Sequence, residues 1–347
     1  MRVLAAMSGG VDSSVTAALL LDEGHDVVGA TMKLWGGPSD QGCCSVADVD
    51  DARRVCQQLG IAHHVFNFSD DFDANVVAPY VEAHVHGRTP NPCIECNRHL
   101  KFDRFLRRAV QLGFDAIATG HHARITNDAG VWNLRRGRDA AKDQSYVLHM
   151  LDQAAMARTL LPVGAMTKAD VRAIAEARGL RTAAKPDSQD TCFLPSDGGR
   201  ATFLGDRIAL RPARVVDTSG NAVGVVDAVE LVTVGQRRGL GAGATANGGS
   251  PRYAVDVDTD AAVVTVGTLD DLLVDAQPVE AMTWTHAPAD VGETMRVQTS
   301  AHGASEPADW TGNDIRWHAR HRRIARGQSV VLYAADDDRV LGGGIAS

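Results

Sequence analysis

The chain has 347 residues, 44% of them hydrophobic, and a formal net charge of −8. That length leaves room for two or three ordinary domains, and the acidic balance excludes a protein that holds polyanions through bulk charge, because an acidic surface repels phosphate at a distance. Six cysteines (Cys43, Cys44, Cys56, Cys93, Cys96 and Cys192) are too few and too irregularly spaced for a secreted disulfide framework, and no apolar run approaches the roughly 20 residues that span a bilayer, so a cytoplasmic protein without membrane contact is expected.

From Arg2 to about Leu151, apolar β-rich runs ("VLAAM", "HDVVGATMKL", "HHVFNF", "DAIATG") alternate with stretches of helical period ("SVTAALLLDEG", "VADVDDARRVCQQLG", "RHLKFDRFLRRAVQLG"). This alternation predicts an α/β fold whose first domain, residues 1–205, is a doubly wound parallel sheet with helices on both faces. "MTKADVRAIAEARGL" predicts one more amphipathic helix, capped by Thr167 and stopped at Gly179. After about residue 200 the composition shifts to Val, Thr, Gly and Asp in short runs of period two with hairpin signals. A small β-rich domain over 206–276 and a β-barrel over 277–347 are expected, with a loop in the tract "GLGAGATANGGS".

The first strand runs into "SGGVDSS", Ser8 to Ser14, where a helix begins. A glycine-rich turn into a helix gathers unpaired backbone N–H groups and the positive helix end at one spot, which attracts phosphate. The loop lacks the Gly-Lys-Ser/Thr of a mononucleotide P-loop and the third glycine of the dinucleotide fingerprint. Asp12 is the unusual member: a carboxylate beside phosphate is unfavourable unless Mg²⁺ or a helix-end amide lies between, so a metal-assisted nucleotide reaction is expected.

"TPNPCIECNRHLKFD" then offers Cys93 and Cys96, and "KPDSQDTCF" offers Cys192. Three readings stand open for these thiols: a metal clip, which lacks the second pair that closes a tetrahedral site; an inert buried pair; and redox or sulfur-transfer chemistry, favoured by the Asn, Asp, Ser and Pro around them and by Arg98 next to Cys96. Two basic patches, Arg98 to Arg108 and Arg316 to Arg326, are candidates for phosphate contact, with Trp317 in the second able to stack on a base.

The opening loop resembles the pyrophosphatase loop of the N-type ATP-pyrophosphatase superfamily, whose fold is adenine nucleotide alpha hydrolase-like. The motifs "AMSGGVDSS", "MKLW", "CCSVADVDDARRVCQQLGI", "TPNPCIECNRHLKF", "ATGHHAR", "KDQSYVL", "KPDSQDTCF", "VGQRRGLG" and "GQSVVLY" with "LGGGI" together resemble the tRNA-specific 2-thiouridylase family. The resemblance implies ATP and Mg²⁺ as cofactors, a tRNA with a wobble uridine and a persulfide donor as partners, and a monomer with no resident metal. It implies that Ala6, Met7, Ser8, Gly9, Gly10, Val11, Asp12 and Ser13 hold ATP phosphates, with Met32 and Gly120 lining the adenine and ribose pocket. Asn91, Pro92 and Cys93 would face the target base, Cys96 would be the nucleophile, and Cys192 would carry the persulfide, the two closing a disulfide during turnover. His121, Lys142, Asp143, Gln144 and Gln328 would touch tRNA. The chain departs from the pattern in two places: Cys93 stands where some members have an aspartate, and the barrel Arg-Tyr contact to tRNA falls at Ser300 and Ala301, leaving Arg316 to Arg326 to compensate. On the residues alone, a small-molecule adenylating ligase and a nucleotide- or metal-binding regulatory protein are the rivals.

Overall fold

A computed structural model describes residues 1–35, 45–187, 191–194, 199–241 and 251–347. Cys43, Cys44, the Ser188–Asp190 part of "KPDSQDTCF" and most of the Gly/Ala-rich tract lie outside the described residues.

The N-terminal sheet has five parallel strands: β1 (Arg2–Ala6), β2 (Asp26–Lys33), β3 (His63–Asn67), β4 (Ala116–Ala118) and, after the hairpin β5 (Ala123–Asp128) and β6 (Val131–Arg136), β7 (Thr159–Leu160). They lie in the order β3-β2-β1-β4-β7. Alternation along β1 shows the double winding. Leu4 joins Ala30 and Ile117 in one buried cluster, while Val3 and Ala5 join Val27 and Ala118 in a second cluster on the opposite face.

Helix α1 (Val11–Asp22) follows β1, and α2 (Val46–Leu59) ends at Gly60 with φ +72°, the left-handed stop that a glycine supplies. A continuous helical run, α3, covers 69–85, and another, α4, covers 92–111. The Cys96–Phe105 part of α4 is wound as π-helix, a widening that the helical period of the sequence does not reveal. Helix α5 (Lys168–Ala177) has the expected cap, as Thr167 and Asp170 form a reciprocal capping box. Helix α6 (Gly199–Gly205) buries Phe203 and Leu204 in the first cluster.

The middle sheet orders β8 (Ala213–Asp217), β9 (Ala222–Val226), β10 (Tyr253–Asp258) and β11 (Val263–Gly267) as β10-β11-β8-β9. The closed barrel is antiparallel throughout: β12 (Leu273–Trp284), β15 (Asp314–Arg322), β14 (Glu306–Trp310), β13 (Thr294–Gln298), β16 (Ser329–Tyr333) and β17 (Val340–Ala346), returning to β12. Residue 277, where the sequence pattern placed a boundary, falls inside β12, because that long strand pairs with β15 from its first residue and then with β17.

Strand β16 explains how the barrel meets the N-terminal domain. All five of its residues are buried. Val330 and Leu332 point into the barrel core, whereas Val331 and Tyr333 enter the first cluster of the N-terminal domain. A strand covered on both faces must be continuously apolar, which is why "SVVLY" lacks an alternating pattern. Opposite it, the ring of His149 is fully buried against β17, where a side chain added at Gly343 would lie 2.6 Å from His149 Nδ1 and 2.7 Å from the Val330 carbonyl oxygen.

Burial, with nearby Arg98, pushes the His149 pKa from 6.5 down to about 3, so this ring stays neutral in the folded chain while the unfolded chain takes a proton below pH 6.5. Stability therefore falls as the pH drops from 6.5, by about 1.4 kcal/mol from this residue at pH 5.5. Urea unfolding at pH 7.5 and pH 5.5 checks it: His149→Leu is expected to show a shallower pH dependence than the wild type. Gly343→Ala is expected to cost about 1–3 kcal/mol in the same assay through overpacking at this junction.

Candidate active site

The loop between β1 and α1 is shaped by what presses on it. Gly9 has φ +73°, and a side chain there would collide with the Asp48 carbonyl at the start of α2. From the other side, Gly120 at the end of β4 leaves no room either, since its added carbon would lie 2.8 Å from Ser13 N and 2.9 Å from the Asp12 backbone. Helix α1 has no side-chain cap at Gly10, so its first-turn amides remain turned to the loop. The serines brace the turn: Ser13 Oγ receives the Ser8 N–H at 3.2 Å, Ser14 Oγ donates to the Gly10 carbonyl at 2.8 Å, and Thr182 Oγ1 donates to Ser14 Oγ at 3.0 Å.

Charged groups then surround the loop. Lys168, the first residue of α5, donates from Nζ to both Asp12 carboxylate oxygens at 2.8 and 2.7 Å, and His122 Nε2 lies 3.1 Å from Asp12 Oδ1. Burial alone would raise the Asp12 pKa; His122 and Lys168 outweigh it and hold the carboxyl below its ordinary value. Lys168 also reaches Asp187 at 2.9 Å, which Lys142 meets at 2.8 Å and Arg172 at 3.0 Å. Here too the desolvation effect is upward, and the hydrogen bonds from Lys142 and Lys168 bring the Asp187 pKa down to about 2. On the far side, Lys185 Nζ donates to the Gly9 carbonyl at 2.9 Å, Asp48 at 2.7 Å and Asp51 at 2.8 Å. Lys185 and Asp187 belong to "KPDSQDTCF", the motif of Cys192, so the start of that motif is rooted on the loop.

Two of the thiols, Cys96 and Cys192, border one extended apolar cluster. Asn91 caps α4 by accepting the Cys93 N–H at 3.0 Å, and Pro92 occupies the first helical position, where its missing N–H costs nothing. Cys93 is exposed in the first turn, whereas Cys96 is one turn further in and buried, at the start of the π-wound stretch. Cys192 is half-buried and packs against the cluster that contains Cys96. Its neighbour Phe193 anchors it: that ring is 1% exposed and contacts Phe203 at 4.9 Å, Tyr80 at 5.3 Å and Phe72 at 5.8 Å between centroids. Cys56, in the second cluster, is pushed up to about 12 by burial and is inert packing.

The other predicted residues divide. Ala6 ends β1, Met7 N–H still pairs with the Ala30 carbonyl at 2.8 Å, and Val11 opens α1 in the second cluster. Met32 lies buried near the end of β2. His121 is 8% exposed, with Nδ1 2.7 Å from Thr119 Oγ1, and burial together with Lys101 and His122 holds its pKa well below 6.5, so the ring is not presented at the surface. The Asp143 carboxylate is spent internally on Arg136, Gly137 and Ser145, and Gln144 receives the His122 N–H at 2.8 Å; the Lys142 side chain is 38% exposed. Gln328 Nε2 donates to the Thr89 carbonyl just before α4. Trp317 faces the barrel core at 6% exposure and stacks on His321 at 4.1 Å, so it offers no face to a base; alternation along β15 turns it inward while Arg316, His318 and Arg320 face out. In the first patch, Arg98 is paired with Glu95, Arg104 with Asp71 and Arg107 with Asp103. Ser300 and Ala301 form a turn whose carbonyls accept from Gln298 Nε2 at 2.8 and 3.3 Å.

Lys168, Lys185, Asp187, His122 and Arg172 escaped the sequence reading. The first lay in a stretch read only as a helix start, and Lys185 and Asp187 lay in a motif read only for its cysteine. Among the described residues, no three His, Cys, Asp or Glu side chains gather as a metal-ligand set. No helix among them is long and apolar enough to cross a membrane.

Comparison with known proteins covers nearly the whole chain. Residues 1–196 match the family described as the tRNA methyl transferase HUP domain, 201–268 the tRNA methyl transferase PRC-barrel domain, and 275–346 the aminomethyltransferase beta-barrel domain. The chain is 46% identical to the tRNA-specific 2-thiouridylase MnmA of Mycobacteroides abscessus, covering 99% of each. It is 45% identical to the protein of that name from Corynebacterium kroppenstedtii, over 99% of this chain and 94% of that one. The Acidothermus cellulolyticus protein of the same name is also 45% identical, with 99% and 96% covered.

Two outcomes follow from the loop geometry. Gly120→Ala is expected to weaken binding of a non-hydrolysable ATP analogue by at least about tenfold in titration calorimetry, since the added methyl displaces the Asp12–Ser13 turn. The Asp187 ion pairs are complete above its ordinary pKa of 3.8 and are lost as the pH falls toward 2, so acid unfolding of Asp187→Asn is expected to be less steep than that of the wild type over that interval.

Proposed function

The chain belongs to the tRNA-specific 2-thiouridylase family, and from that premise we propose that its phosphate loop and its two thiols carry out one reaction, the exchange of the C2 oxygen of a wobble uridine for sulfur. The protein is a tRNA sulfurtransferase of the α/β class. The domain descriptions speak of methyl transfer, yet the relatives that match from end to end are named thiouridylases, and an ATP-type phosphate loop beside paired thiols suits sulfur transfer. The observation that carries the reading is the rooting of the Cys192 segment on that loop through Lys185 and Asp187.

In this reading Ala6 to Ser13 receive the ATP phosphates on the first-turn amides of α1, with Gly120 holding the turn in place and Met32 and Gly120 lining the nucleoside pocket. Lys168 exchanges its carboxylate partners for phosphate oxygens as ATP arrives. Asp12, an ionised carboxylate at the loop, would hold an Mg²⁺ ion. Bound there, the ion supplies neutralisation of phosphate charge.

Asn91, Pro92 and Cys93, at the exposed start of α4, face the base. The uridine C2 oxygen takes the adenylyl group and pyrophosphate departs. The terminal sulfur of a Cys192 persulfide attacks C2 and AMP leaves, so the base is joined to Cys192 through two sulfurs. The Cys96 thiolate then attacks the Cys192 sulfur; that S–S bond breaks, its electron pair stays on the sulfur bonded to C2, and 2-thiouridine is released as the Cys96–Cys192 disulfide forms. A dithiol reductant reopens the pair. The shared apolar cluster around Cys96 and Cys192 supports this pairing by keeping bulk water from the sulfur intermediate.

For tRNA we propose contact through Lys142, Gln328 and the outward arginines of β15 and α4, with His121, Asp143 and Gln144 supporting from beneath. A few placed phosphate contacts suffice against a net charge of −8. The sulfur enters from a persulfide-bearing donor, and the enzyme works as a cytoplasmic monomer in three domains bounded near 205 and 276.

Single turnover with ATP, Mg²⁺, a persulfide-bearing sulfur donor and an unmodified tRNA, followed by nucleoside mass spectrometry, tests the scheme. Thiouridine is expected from the wild type and absent with Cys192→Ser. If the wild type cleaves ATP to AMP without making thiouridine, the loop reading stands and a ligase acting on another acceptor replaces the sulfur step. If it turns over no ATP and carries about one zinc or iron per chain, a regulatory protein is the better account.

A further inference from the structure

Away from the site, the densest set of polar contacts joins the barrel to the hairpin β5–β6, and its centre is Arg136. Its side chain is only 21% exposed. The Nη1 group donates to Asp143 Oδ2 and to Gln298 Oε1, both at 2.9 Å, while Nη2 donates to Asp337 Oδ1 and Nε to the Asp337 carbonyl, both at 2.7 Å. The guanidinium lies 3.7 Å from the centroid of the Tyr333 ring. Four of these five partners are groups of the barrel, and the fifth, Asp143, is in the turn 142–145 of the N-terminal domain.

That turn faces two ways. On the barrel side, Asp143 also accepts from Gly137 N, Ser145 N and Ser145 Oγ, and Ser145 Oγ is 3.0 Å from Tyr333 Oη. On the loop side, Lys142 holds Asp187, and Gln144 holds the His122 backbone in both directions, at 2.8 and 2.9 Å. Asp187 and Asp12 are the two carboxylates that Lys168 bridges, and His122 is the second partner of Asp12. A planar fork with five donors suits this duty, since a lysine can neither stack nor serve two planes at once.

We propose that Arg136 is a positioning residue through which the barrel sets the phosphate site: by tying Asp337 and Gln298 to Asp143 it fixes the 142–145 turn that holds His122 and Asp187. The inference rests on the ATP reading given above. It also gives the Asp143-Gln144 pair an internal task, and it links the Ser300–Ala301 turn, through Gln298, to the loop.

A comparison within the same junction tests it. Among the described residues, the Arg124 and Arg135 side chains pair with Asp338 at 2.6 and 2.9 Å and form no hydrogen bond to the 142–145 turn, so Asp338→Asn is expected to loosen the barrel contact and leave the turn in place. In the full chain, titration with a non-hydrolysable ATP analogue is expected to show affinity lowered about tenfold by Arg136→Met and by Asp143→Asn, partly restored by Arg136→Lys, and changed by less than about twofold by Asp338→Asn. Thermal melts run alongside are expected to move together for Arg136→Met and Asp338→Asn. Wild-type affinity in Arg136→Met, or an equal loss in Asp338→Asn, overturns the proposal. A wild-type chain that binds no analogue overturns the ATP reading and this inference with it.

Discussion

A site for polyphosphate has to concentrate positive charge, and that charge must be held together before any polyphosphate arrives. Here Asp12 and Asp187 do the holding. Between them they engage Lys168, Lys142, Arg172 and His122, cations and a potential cation that would otherwise repel one another across a partly dry space. The arrangement places each carboxylate where an incoming phosphate oxygen would compete for the same donors. It also decides which parts of the chain must meet: β1 and α1 bring Asp12, α5 brings Lys168 and Arg172, and the stretch before Cys192 brings Lys185 and Asp187. The stretch before Cys192 is therefore fastened to the Ser8–Ser14 loop by the same ion pairs that keep the loop in shape.

The thiols depend on a different force. Phe193 sits in a cage of Phe72, Tyr80 and Phe203, with Trp35 at its edge, and such aromatic contacts are worth more than their buried area alone. Fixing the residue beside Cys192 limits where that sulfur can go, while α4 sets Cys96 in the wall of the same cluster. Electrostatics anchors one end of the segment and packing the other.

How much of this is legible in the sequence depends on the range of the interaction. "SVVLY", read with the runs of period two, is buried on both faces because the N-terminal domain packs on its outer side, whereas strands β1 to β4 and the cap of α5 rest on local patterns and can be read directly. So can the glycines and cysteines of the site, whose residue types already imply chemistry. Lys168 cannot, because its partner Asp12 is 156 positions away and nothing local distinguishes it from any lysine opening a helix. The inward turn of Trp317 follows from the phase of β15, which is set only once the barrel closes. His121 looks like a loop histidine after a glycine, yet Phe102 from α4 covers it, a contact that only the assembled fold supplies. The π-wound stretch of α4 is invisible for a related reason: the sequence period specifies a helix, and the neighbours packed around it specify how tightly it winds.

The burial of Val331, Tyr333 and Val340 in the N-terminal core bears on how the chain is made. A ribosome delivers the parallel sheet and its helices long before β16 and β17 emerge, so the first domain leaves the tunnel with part of its apolar surface uncovered. Its nascent form must wait, through synthesis of the entire middle sheet and most of the barrel, for the strands that complete it. The core of the N-terminal domain is thus completed only when the barrel strands β16 and β17 have been made.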